Sequence, residues 1–239
     1  DQGGNAAFFS GNTAFWQARF ENDYETLTCY KNSIEQDPLY DAVSAPGLST
    51  MWSDPLVGRP ESEMTGVSFT HGGYAHMPSS PEGSGGYSVC RPEHWAFEGL
   101  DVVKGGGLGE ADVTVGYECD GCPLEDVDGV QYAVGPHART GFEVLATAPA
   151  HLWETNEAPG GLDESYVGEL NWVAERLGGE DTELVRAKYS EGHAVMGSFS
   201  RGKGSVFTTG CTDWAYGLGQ PDVSRVTLNV VDRFLRRTK

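Results

Sequence analysis

Three short segments of the sequence carry side chains that could bind a ligand or transfer a proton. The first, SGNTAFW (10–16), places Asn12 beside the aromatic residues Phe15 and Trp16, directly after an apolar run. Ligands of open α/β sheets bind at the carboxyl ends of strands, so Asn12 could donate a hydrogen bond to a developing oxyanion there. Phe15 and Trp16 would then wall an apolar pocket. The alternative is an Asx-turn followed by core aromatic residues.

The other two segments contain titratable groups. In RPEHWAFEG, His94 and Trp95 lie between carboxylates, a pattern typical of an acid–base group beside an aromatic wall, or of a loop histidine packed on tryptophan. In VGYECDG, Glu118 ends an apolar run, where burial would raise its pKa and suit it to proton transfer; alternatively it faces water. Lys31, in TCYKN, is a further candidate, because a cation among apolar strand residues needs a partner.

Composition and charge exclude several kinds of partner. The chain of 239 residues has a formal net charge of −19, from 16 basic and 35 acidic residues. Nucleic acid and anionic membrane surfaces are therefore excluded as partners, because phosphate binding requires clustered Lys and Arg. The sequence has no apolar stretch of about 18 residues, so no membrane-spanning helix is predicted.

The cysteines indicate a reducing compartment. The chain has five, namely Cys29, Cys90, Cys119, Cys122 and Cys211. This odd, scattered set argues against a disulfide scaffold and predicts a cytoplasmic protein. The CDGC segment has the spacing of a metal-binding pair, but a second pair is absent. We interpret Asp120 and Gly121 as turn residues and the two thiols as incidental, with a zinc site as the alternative.

The elements that must position these side chains form a mixed pattern. The apolar run AAFFSG (6–11) predicts a buried strand, and alternation around Leu27 predicts another over 24–31. Residues 32–93 are rich in Gly, Pro and Ser and are predicted to be mostly loop. The other predicted elements are a helix near 59–65, strands over 113–118, 130–134 and 142–150, a helix over 167–177, and a hairpin over 194–210 about Arg201–Gly204.

A C-terminal helix gives the strongest helical pattern. Ser224 is its predicted N-cap, and Val226, Val230, Phe234 and Leu235 form its apolar face. At the other end of the chain, DQGGN is typical of a helix C-terminus that leads into a strand. Because a parallel strand normally follows a crossover helix, we expect the chain to begin inside a longer α/β body.

Several blocks, in the same order along nearly the whole chain, together resemble one family. They are GGNAAFFSGNTAFWQARFE, TLTCYKNSIEQDP, HWAFEG, VGYECDG, FEVLATAPA and GKGSVFTTGCTDWAYGL. They resemble the C-terminal region of the large (beta) subunit of N,N-dimethylformamidase and its relatives. The resemblance implies an α/β fold with a class I glutamine amidotransferase-like (flavodoxin-like) sheet that lacks its N-terminal strands. Residues 1–239 would be one catalytic domain fragment, with a β-rich excursion over about 32–165.

The resemblance also implies a reaction and a set of site residues. It implies hydrolysis of a small N-substituted amide to a carboxylate and an amine by a metal-activated water. The metal would be a mononuclear iron held by tyrosine and carboxylate ligands, which we expect upstream of Asp1, so no residue of this chain is assigned to it. The assigned residues are Asn12, Lys31, Glu118 and His94 for catalysis, and Phe15, Trp16 and Phe142 for substrate binding.

The implied partners are a small amide substrate, the rest of the large subunit and a small subunit, assembled as an oligomer. Neither nucleic acid nor membrane is among them. The alternative is a non-catalytic amidotransferase-like domain used for binding or assembly in a larger protein, because a fold alone does not fix a chemistry.

Overall fold

The chain folds into a mixed α/β structure. The computed structural model describes residues 3–40, 45–75, 85–154 and 168–236. Its strands, in chain order, are β1 (Ala6–Phe8), β2 (Arg19–Glu21), β3 (Thr26–Thr28), β4 (Ser68–Tyr74), β5 (Tyr87–Val89), β6 (Gly107–Leu108), β7 (Glu118–Gly121), β8 (Leu124–Val127), β9 (Val130–Ala133), β10 (Glu143–Ala150), β11 (Gly192–Arg201) and β12 (Gly204–Thr208). Its α-helices are α1 (Ser62–Thr65), α2 (Glu169–Gly178), α3 (Glu183–Ser190) and α4 (Pro221–Leu235), and 3₁₀ turns cover Ile34–Gln36, Trp95–Phe97 and Thr212–Gly219.

The main sheet has eight strands. Six follow the order β1-β12-β11-β10-β5-β6, while β9 pairs with β10 and β8 pairs with β9. The β1–β12 pair is parallel, and the other pairs are antiparallel. The prediction of a mixed α/β protein is confirmed. The finer expectation, an amidotransferase-like sheet, stays a prediction.

A separate antiparallel pair, β4–β7, carries the acidic residues of the candidate site. It packs against β11 of the main sheet. The strands approach so closely at a register shift in β4 that a Cβ at Gly72 would overlap the carbonyl oxygen of Cys119. Glycine is therefore required at this crossing. The pair places Glu118 and Asp120 of β7 beside the turn that follows β1.

The predicted β-elements of the second half are confirmed. The hairpin about Arg201–Gly204 is β11–β12, and its two connecting residues are Gly202 and Lys203. Gly202 has a φ of +59°, which a tight hairpin turn favours. The strands predicted over 130–134 and 142–150 are β9 and β10.

Two shorter helices lie where the sequence predicts them. The helix near 59–65 is α1, which ends at Gly66 with a left-handed φ of +85°. The helix over 167–177 is α2, whose buried face includes Leu170 and Ala174. Val167, the first residue of the predicted range, lies outside the described residues.

The start of α4 corrects one prediction. The helix begins at Pro221 with Gln220 as N-cap, so the prediction of Ser224 as N-cap is wrong. Proline suits the first helical position because its φ is already helical and its missing N–H would have no partner there. Val226 and Val230 are buried as predicted, whereas Leu235 is 74% exposed.

Two predicted strands near the N-terminus are shorter and more exposed than expected. The run 6–11 gives β1, which has a neighbour on one side among the described strands, so Ala7 is exposed and the prediction of a buried strand is wrong. The segment 24–31 gives β3, half of the small β2–β3 hairpin. Leu27 in it is 64% exposed, because this hairpin lies on the surface.

Three interpretations in the middle of the chain are corrected by the structure. The strand predicted over 113–118 is replaced by turns, with Val113 at a φ of +52°, and β7 begins only at its last residue. Asp120 and Gly121, interpreted as turn residues, are buried strand residues of β7. The loop predicted over 32–93 contains β4 and β5.

Separate buried clusters hold these layers together. One lies between the main sheet and α4 and includes Phe207, Trp214 and Val226. Another, mainly aromatic, joins the segment after β1 to β4 and α2 and includes Phe15 and Trp172. Burial of such side chains is the main stabilising contribution to a domain of this size. The candidate site lies where the second cluster meets the β4–β7 pair.

Candidate active site

The turn that follows β1 is held by a buried carboxylate. Asn12 has a left-handed φ of +44°, which asparagine tolerates better than most residues. Its backbone N–H donates to Asp120 Oδ1 at 2.9 Å, and the N–H of Thr13 donates to Asp120 Oδ2 at 3.3 Å. Gly11 completes the turn, since a Cβ there would lie 2.6 Å from the carbonyl oxygen of Glu118. The turn is therefore fixed against β7.

The structure brings Asn12 and Glu118 together, as their assigned roles require. Asn12 Nδ2 donates to Glu118 Oε1 at 2.9 Å, across 106 positions of sequence. The backbone of Glu118 is fixed in turn by Thr212, whose Oγ1 accepts from its N–H at 3.1 Å and donates to its carbonyl oxygen at 3.3 Å. An amide donor and a carboxyl group thus face each other in a fixed arrangement.

The surroundings of Glu118 favour its protonated form. Burial raises the pKa of this carboxyl, and the negative charges of Glu169 and Asp213 raise it further. The hydrogen bond from Asn12 acts in the opposite direction and limits the increase in pKa. A raised pKa makes a carboxyl group a better acceptor of a proton that it can later return, which suits general acid–base catalysis.

Two further buried carboxyl groups lie behind this pair. Burial raises the pKa of Asp120 to about 6, against the effect of the N–H groups of Thr13 and Asn12. Burial also raises the pKa of Glu61 to about 7, and the charge of Asp120 adds to this effect. Glu61 Oε1 accepts from Ser68 Oγ at 2.5 Å. The sequence analysis missed both groups, because it interpreted Asp120 as a turn residue and did not single out Glu61.

Aromatic side chains and a second carboxylate flank Glu118. Tyr74 lies opposite Glu118 in the β4–β7 register, and its hydroxyl donates to Glu169 Oε1 at 3.1 Å. The ring of Tyr74 stacks on Trp153 with centroids 3.8 Å apart and lies 5.6 Å from the ring of Tyr117. Tyr74, Trp153 and Glu169 were also missed, since separate segments far from Glu118 in sequence supply them. The aromatic rings give the site an apolar wall.

Phe15 and Trp16, assigned to substrate binding, belong to the adjoining aromatic cluster. Phe15 is 3% exposed and contacts the edges of Trp16 and Phe69, at centroid distances of 4.6 and 5.0 Å. Trp16 is half-buried and lies 5.4 Å from Trp172. Phe15 shares its cluster with Tyr74, so the assigned pair continues the wall beside Glu118. Its contact with substrate stays a prediction.

Lys31 lies at the outer edge of this aromatic cluster. Its Nζ is 5.8 Å from the centre of the Trp16 ring, a cation–π distance. Its backbone has a left-handed φ of +55° and its N–H donates to the carbonyl of Ser49 at 3.1 Å. Among the described residues no hydrogen bond or ion pair joins Lys31 to Asn12 or Glu118, and its side chain contacts the Trp16 ring instead.

His94 makes contacts of a different kind. Its Nδ1 accepts from the N–H of Ala96 at 3.2 Å and so caps a 3₁₀ turn, while Nε2 lies 3.1 Å from Ser198 Oγ. Burial lowers the pKa of His94 to about 4, and the charges of Arg233 and Arg91 lower it further. Both ring nitrogens are therefore occupied, and within residues 85–154 and 168–236 its partners lie away from Glu118.

Phe142 likewise lies in another part of the core. It belongs to the cluster that includes Val144 and Phe199, and its ring covers Gly66 and Gly197. The structure therefore does not bring Phe142 or His94 to the Asn12–Glu118 pair. It does bring together Asn12, Glu118, Phe15 and Trp16, with Lys31 beside Trp16.

The cysteines do not form a metal site in the part of the chain that the structure describes. Cys119 and Cys122 are both buried free thiols, and they belong to different core clusters. Among residues 3–40, 45–75, 85–154 and 168–236, no group of three or more His, Cys, Asp or Glu side chains is placed to hold a metal ion. The alternative of a CDGC zinc protein therefore gains no support from the geometry.

Within the described ranges, no helix has both the length and the apolar character needed to cross a membrane.

Comparison with known proteins identifies the family. No curated protein matches the chain. The model of one family, described as N,N-dimethylformamidase beta subunit-like, C-terminal, matches residues 1–226. The match confirms the resemblance carried by the sequence blocks, and the chain belongs to the N,N-dimethylformamidase beta subunit-like, C-terminal family.

Proposed function

We propose that the chain forms part of an amidohydrolase that cleaves a small N-substituted amide into a carboxylate and an amine. One observation carries the proposal: Asn12 Nδ2 lies 2.9 Å from Glu118 Oε1. This contact joins a hydrogen-bond donor suited to an oxyanion with a carboxyl group whose pKa is raised by burial. Membership of a dimethylformamidase-related family is consistent with the same class of reaction.

In the proposed reaction Glu118 first accepts a proton from a water molecule. The water oxygen forms a bond to the amide carbon, and the carbonyl oxygen becomes an oxyanion. The C–N bond then breaks, and Glu118 returns the proton to the amine nitrogen. The water supplies the hydroxyl of the acid and the hydrogen of the amine, so Glu118 ends the cycle unchanged.

The two amide hydrogens of Asn12 would have separate roles, one toward Glu118 and one toward the substrate. One N–H already donates to Glu118 Oε1 and holds that carboxyl group in place. The carboxamide of asparagine carries a second N–H donor, which can face the substrate carbonyl. A donor fixed before the reaction stabilises developing negative charge more effectively than a mobile one. The backbone contact between Asn12 and Asp120 provides this fixing.

The aromatic side chains beside Glu118 define the proposed substrate class. Tyr74 and Trp153 form a stacked surface, and Tyr117 lies beside it. We propose that these rings contact an apolar N-substituent, since such surfaces bury small alkyl groups favourably. Lys31, over Trp16 at the edge of the same cluster, would orient the carboxylate product.

An iron centre is part of the proposal through the family resemblance only. The described side chains include no group of three or more His, Cys, Asp or Glu placed to hold a metal, so these residues do not fit an iron centre by themselves. Following the family resemblance, we propose that its ligands lie upstream of Asp1. The proton steps above use only this chain's side chains.

The amidotransferase-like fold and the subunit assembly are also proposals based on the family resemblance. The parallel β1–β12 pair, with Asn12 beyond the carboxyl end of β1, is compatible with an amidotransferase-like sheet. The beta-subunit description of the family supports a multi-subunit assembly. We propose that this chain works within a large subunit and together with a small subunit.

The test is amine release from N,N-dimethylformamide by the complete protein. Glu118→Gln keeps an oxygen that can accept from Asn12 but cannot take up a proton, so we expect turnover to fall by about 10²- to 10⁴-fold. Glu125→Gln, on the exposed side of β8, is the matched control and should retain full activity. Unchanged turnover in Glu118→Gln would refute the assigned role. A parent protein that binds no iron and releases no amine from any amide would instead support the binding or assembly domain.

A further inference from the structure

A cavity of about 420 Å³ lies at the other end of the β4–β7 pair from Glu118. Ser68 and Thr70 of β4 and Gly121 of β7 contribute to its lining. Strands rise by about 3.3 Å per residue, so Gly121 lies roughly 10 Å from Glu118 along β7. The cavity is therefore a separate space, and it is large enough for a molecule of about ten heavy atoms.

The walls of this cavity are rigid. Four prolines contribute to the lining, which are Pro55, Pro60, Pro123 and Pro136. Proline fixes its own φ, so these segments lose little conformational freedom when a ligand binds. Leu177 and Val134 add apolar surface. The space is thus preformed and largely apolar.

Polar side chains line this apolar space. Ser53 lines the cavity, and its Oγ is buried without a hydrogen-bond partner among the described residues. The ring of His71 also lines the cavity and stacks on Tyr189 with ring centroids 5.6 Å apart. A buried polar group without a partner costs free energy, which a ligand or water with complementary groups would recover.

The charge of the lining restricts the ligand. Glu63 is the charged side chain among the described lining residues, and no Lys or Arg accompanies it there. Burial lowers the pKa of His71 to about 4, and nearby His137 lowers it further. His71 is therefore neutral near pH 7 and offers one N–H donor and one nitrogen acceptor. A bound anion would therefore have no Lys or Arg in the cavity lining to neutralise its charge.

We propose that this cavity binds a small uncharged molecule that carries a carboxamide-like donor and acceptor on an apolar body. The neutral ring of His71 and the hydroxyl of Ser53 recognise the polar end, and the proline walls contain the apolar body. The site is separate from the Asn12–Glu118 pair, and its occupancy does not depend on the proposed amide hydrolysis.

Three probes of the same shape and different charge test this proposal: benzamide, benzoate and benzylamine. Binding to the complete protein is measured by titration in ligand-observed saturation-transfer NMR. Benzamide should bind saturably. Benzoate should bind at least about tenfold more weakly, because it meets no Lys or Arg in the cavity lining. Benzylamine should be weakened to the same extent, because its ammonium group loses water and offers no acceptor to the N–H of His71. Equal affinity for benzoate, or no saturable benzamide binding at millimolar concentration, would overturn the proposal.

Variants locate the binding. His71→Phe keeps a ring on Tyr189 but removes the polar nitrogens, and Ser53→Ala removes the hydroxyl; each should weaken benzamide binding by about two- to tenfold. Tyr216→Phe, at a site 73% exposed and outside this lining, should leave the affinity unchanged. Glu118→Gln should also bind benzamide normally. Loss of binding in Glu118→Gln, or full binding in both cavity variants, would place benzamide elsewhere and contradict the assignment.

Discussion

The buried carboxylate of Asp120 accepts the backbone N–H of Asn12 at 2.9 Å, while Glu118, two positions earlier on β7, accepts the side-chain amide of Asn12 at the same distance. Side chains two apart on a strand point to the same face, so one strand holds both the backbone and the side chain of Asn12. The position of the proposed oxyanion donor is therefore set by β7. This relationship leads to the first prediction.

Asp120→Asn should lower kcat for amide hydrolysis by up to about 10²-fold with little change in KM, because a small displacement of a catalytic group is costly. The variant replaces one acceptor oxygen with an NH₂ group that faces an N–H of the turn. Steady-state kinetics of the complete protein provide the measurement. Asp128→Asn, in the exposed β8–β9 turn, is the control and should behave like the parent. A parent-like kcat in Asp120→Asn would show that the turn does not need this carboxylate.

Asn12→Gly isolates the contribution of the side-chain amide. Glycine adopts the φ of +44° found at this position without strain, so the turn should persist. Loss of a preorganised oxyanion donor typically lowers kcat by about 10²- to 10³-fold, and we expect a loss of this size. Asn22→Gly, at an exposed residue with a φ of +50°, is the matched control. A comparable loss in both variants would attribute the effect to the backbone rather than to the amide.

Glu169→Gln should change the pH dependence of catalysis. The charge of Glu169 raises the pKa of Glu118, so its removal lets Glu118 ionise at lower pH. The acidic limb of the kcat/KM profile should therefore move to lower pH, measured as amine release across the pH range. Glu175→Gln, exposed on the same helix, should leave the limb in place. A shift to higher pH would contradict the electrostatic role given to Glu169.

Glu61→Gln should flatten the dependence of stability on pH. Because the pKa of Glu61 rises from 4.5 to about 7 on folding, the folded state holds the extra proton between these values. The free energy of unfolding therefore falls as pH rises through this window, by about 3 kcal/mol for this group. Glutamine does not ionise, so the variant lacks this decrease. Asp120, whose pKa rises from 3.8 to about 6, keeps a residual slope at the lower end.

Urea unfolding at a series of pH values measures this effect. Glu63→Gln, on the exposed side of the same short helix, should retain the slope of the parent. Parent and Glu61→Gln curves that run parallel from pH 4.5 to 7 would refute the coupling of Glu61 to folding.

The sequence predicted well those features that local patterns or motif blocks encode. The β11–β12 hairpin follows from the Gly202–Lys203 turn between apolar runs, and the buried face of α4 follows from the spacing of Val226 and Val230. The contact between Asn12 and Glu118 followed from the family resemblance, since nothing in the spacing of residues 106 positions apart requires it. Local periodicity and family blocks thus accounted for different parts of the structure.

Features that depend on packing between distant segments could not be predicted. Asp120 precedes glycine and so resembles a turn residue, yet Gly121 is needed because a Cβ there would overlap the carbonyl oxygens of His71 and His193. Strand β4 was missed because its glycine pair conceals the strand pattern. His94 resembles an acid–base residue in sequence, but its partner Ser198 becomes visible only once the strands are assembled.

The parallel pairing of β1 with β12 also has a consequence for biosynthesis. Ala6 pairs with Val206 and Phe8 with Thr208. Strand β12 is therefore synthesised about 200 residues after β1, the strand with which it pairs. Closing so long a loop is slow compared with forming the neighbouring hairpin. We therefore expect Asn12 to reach Glu118 late in maturation, and a nascent chain without β12 to lack the Asn12–Glu118 contact even where its local elements have formed.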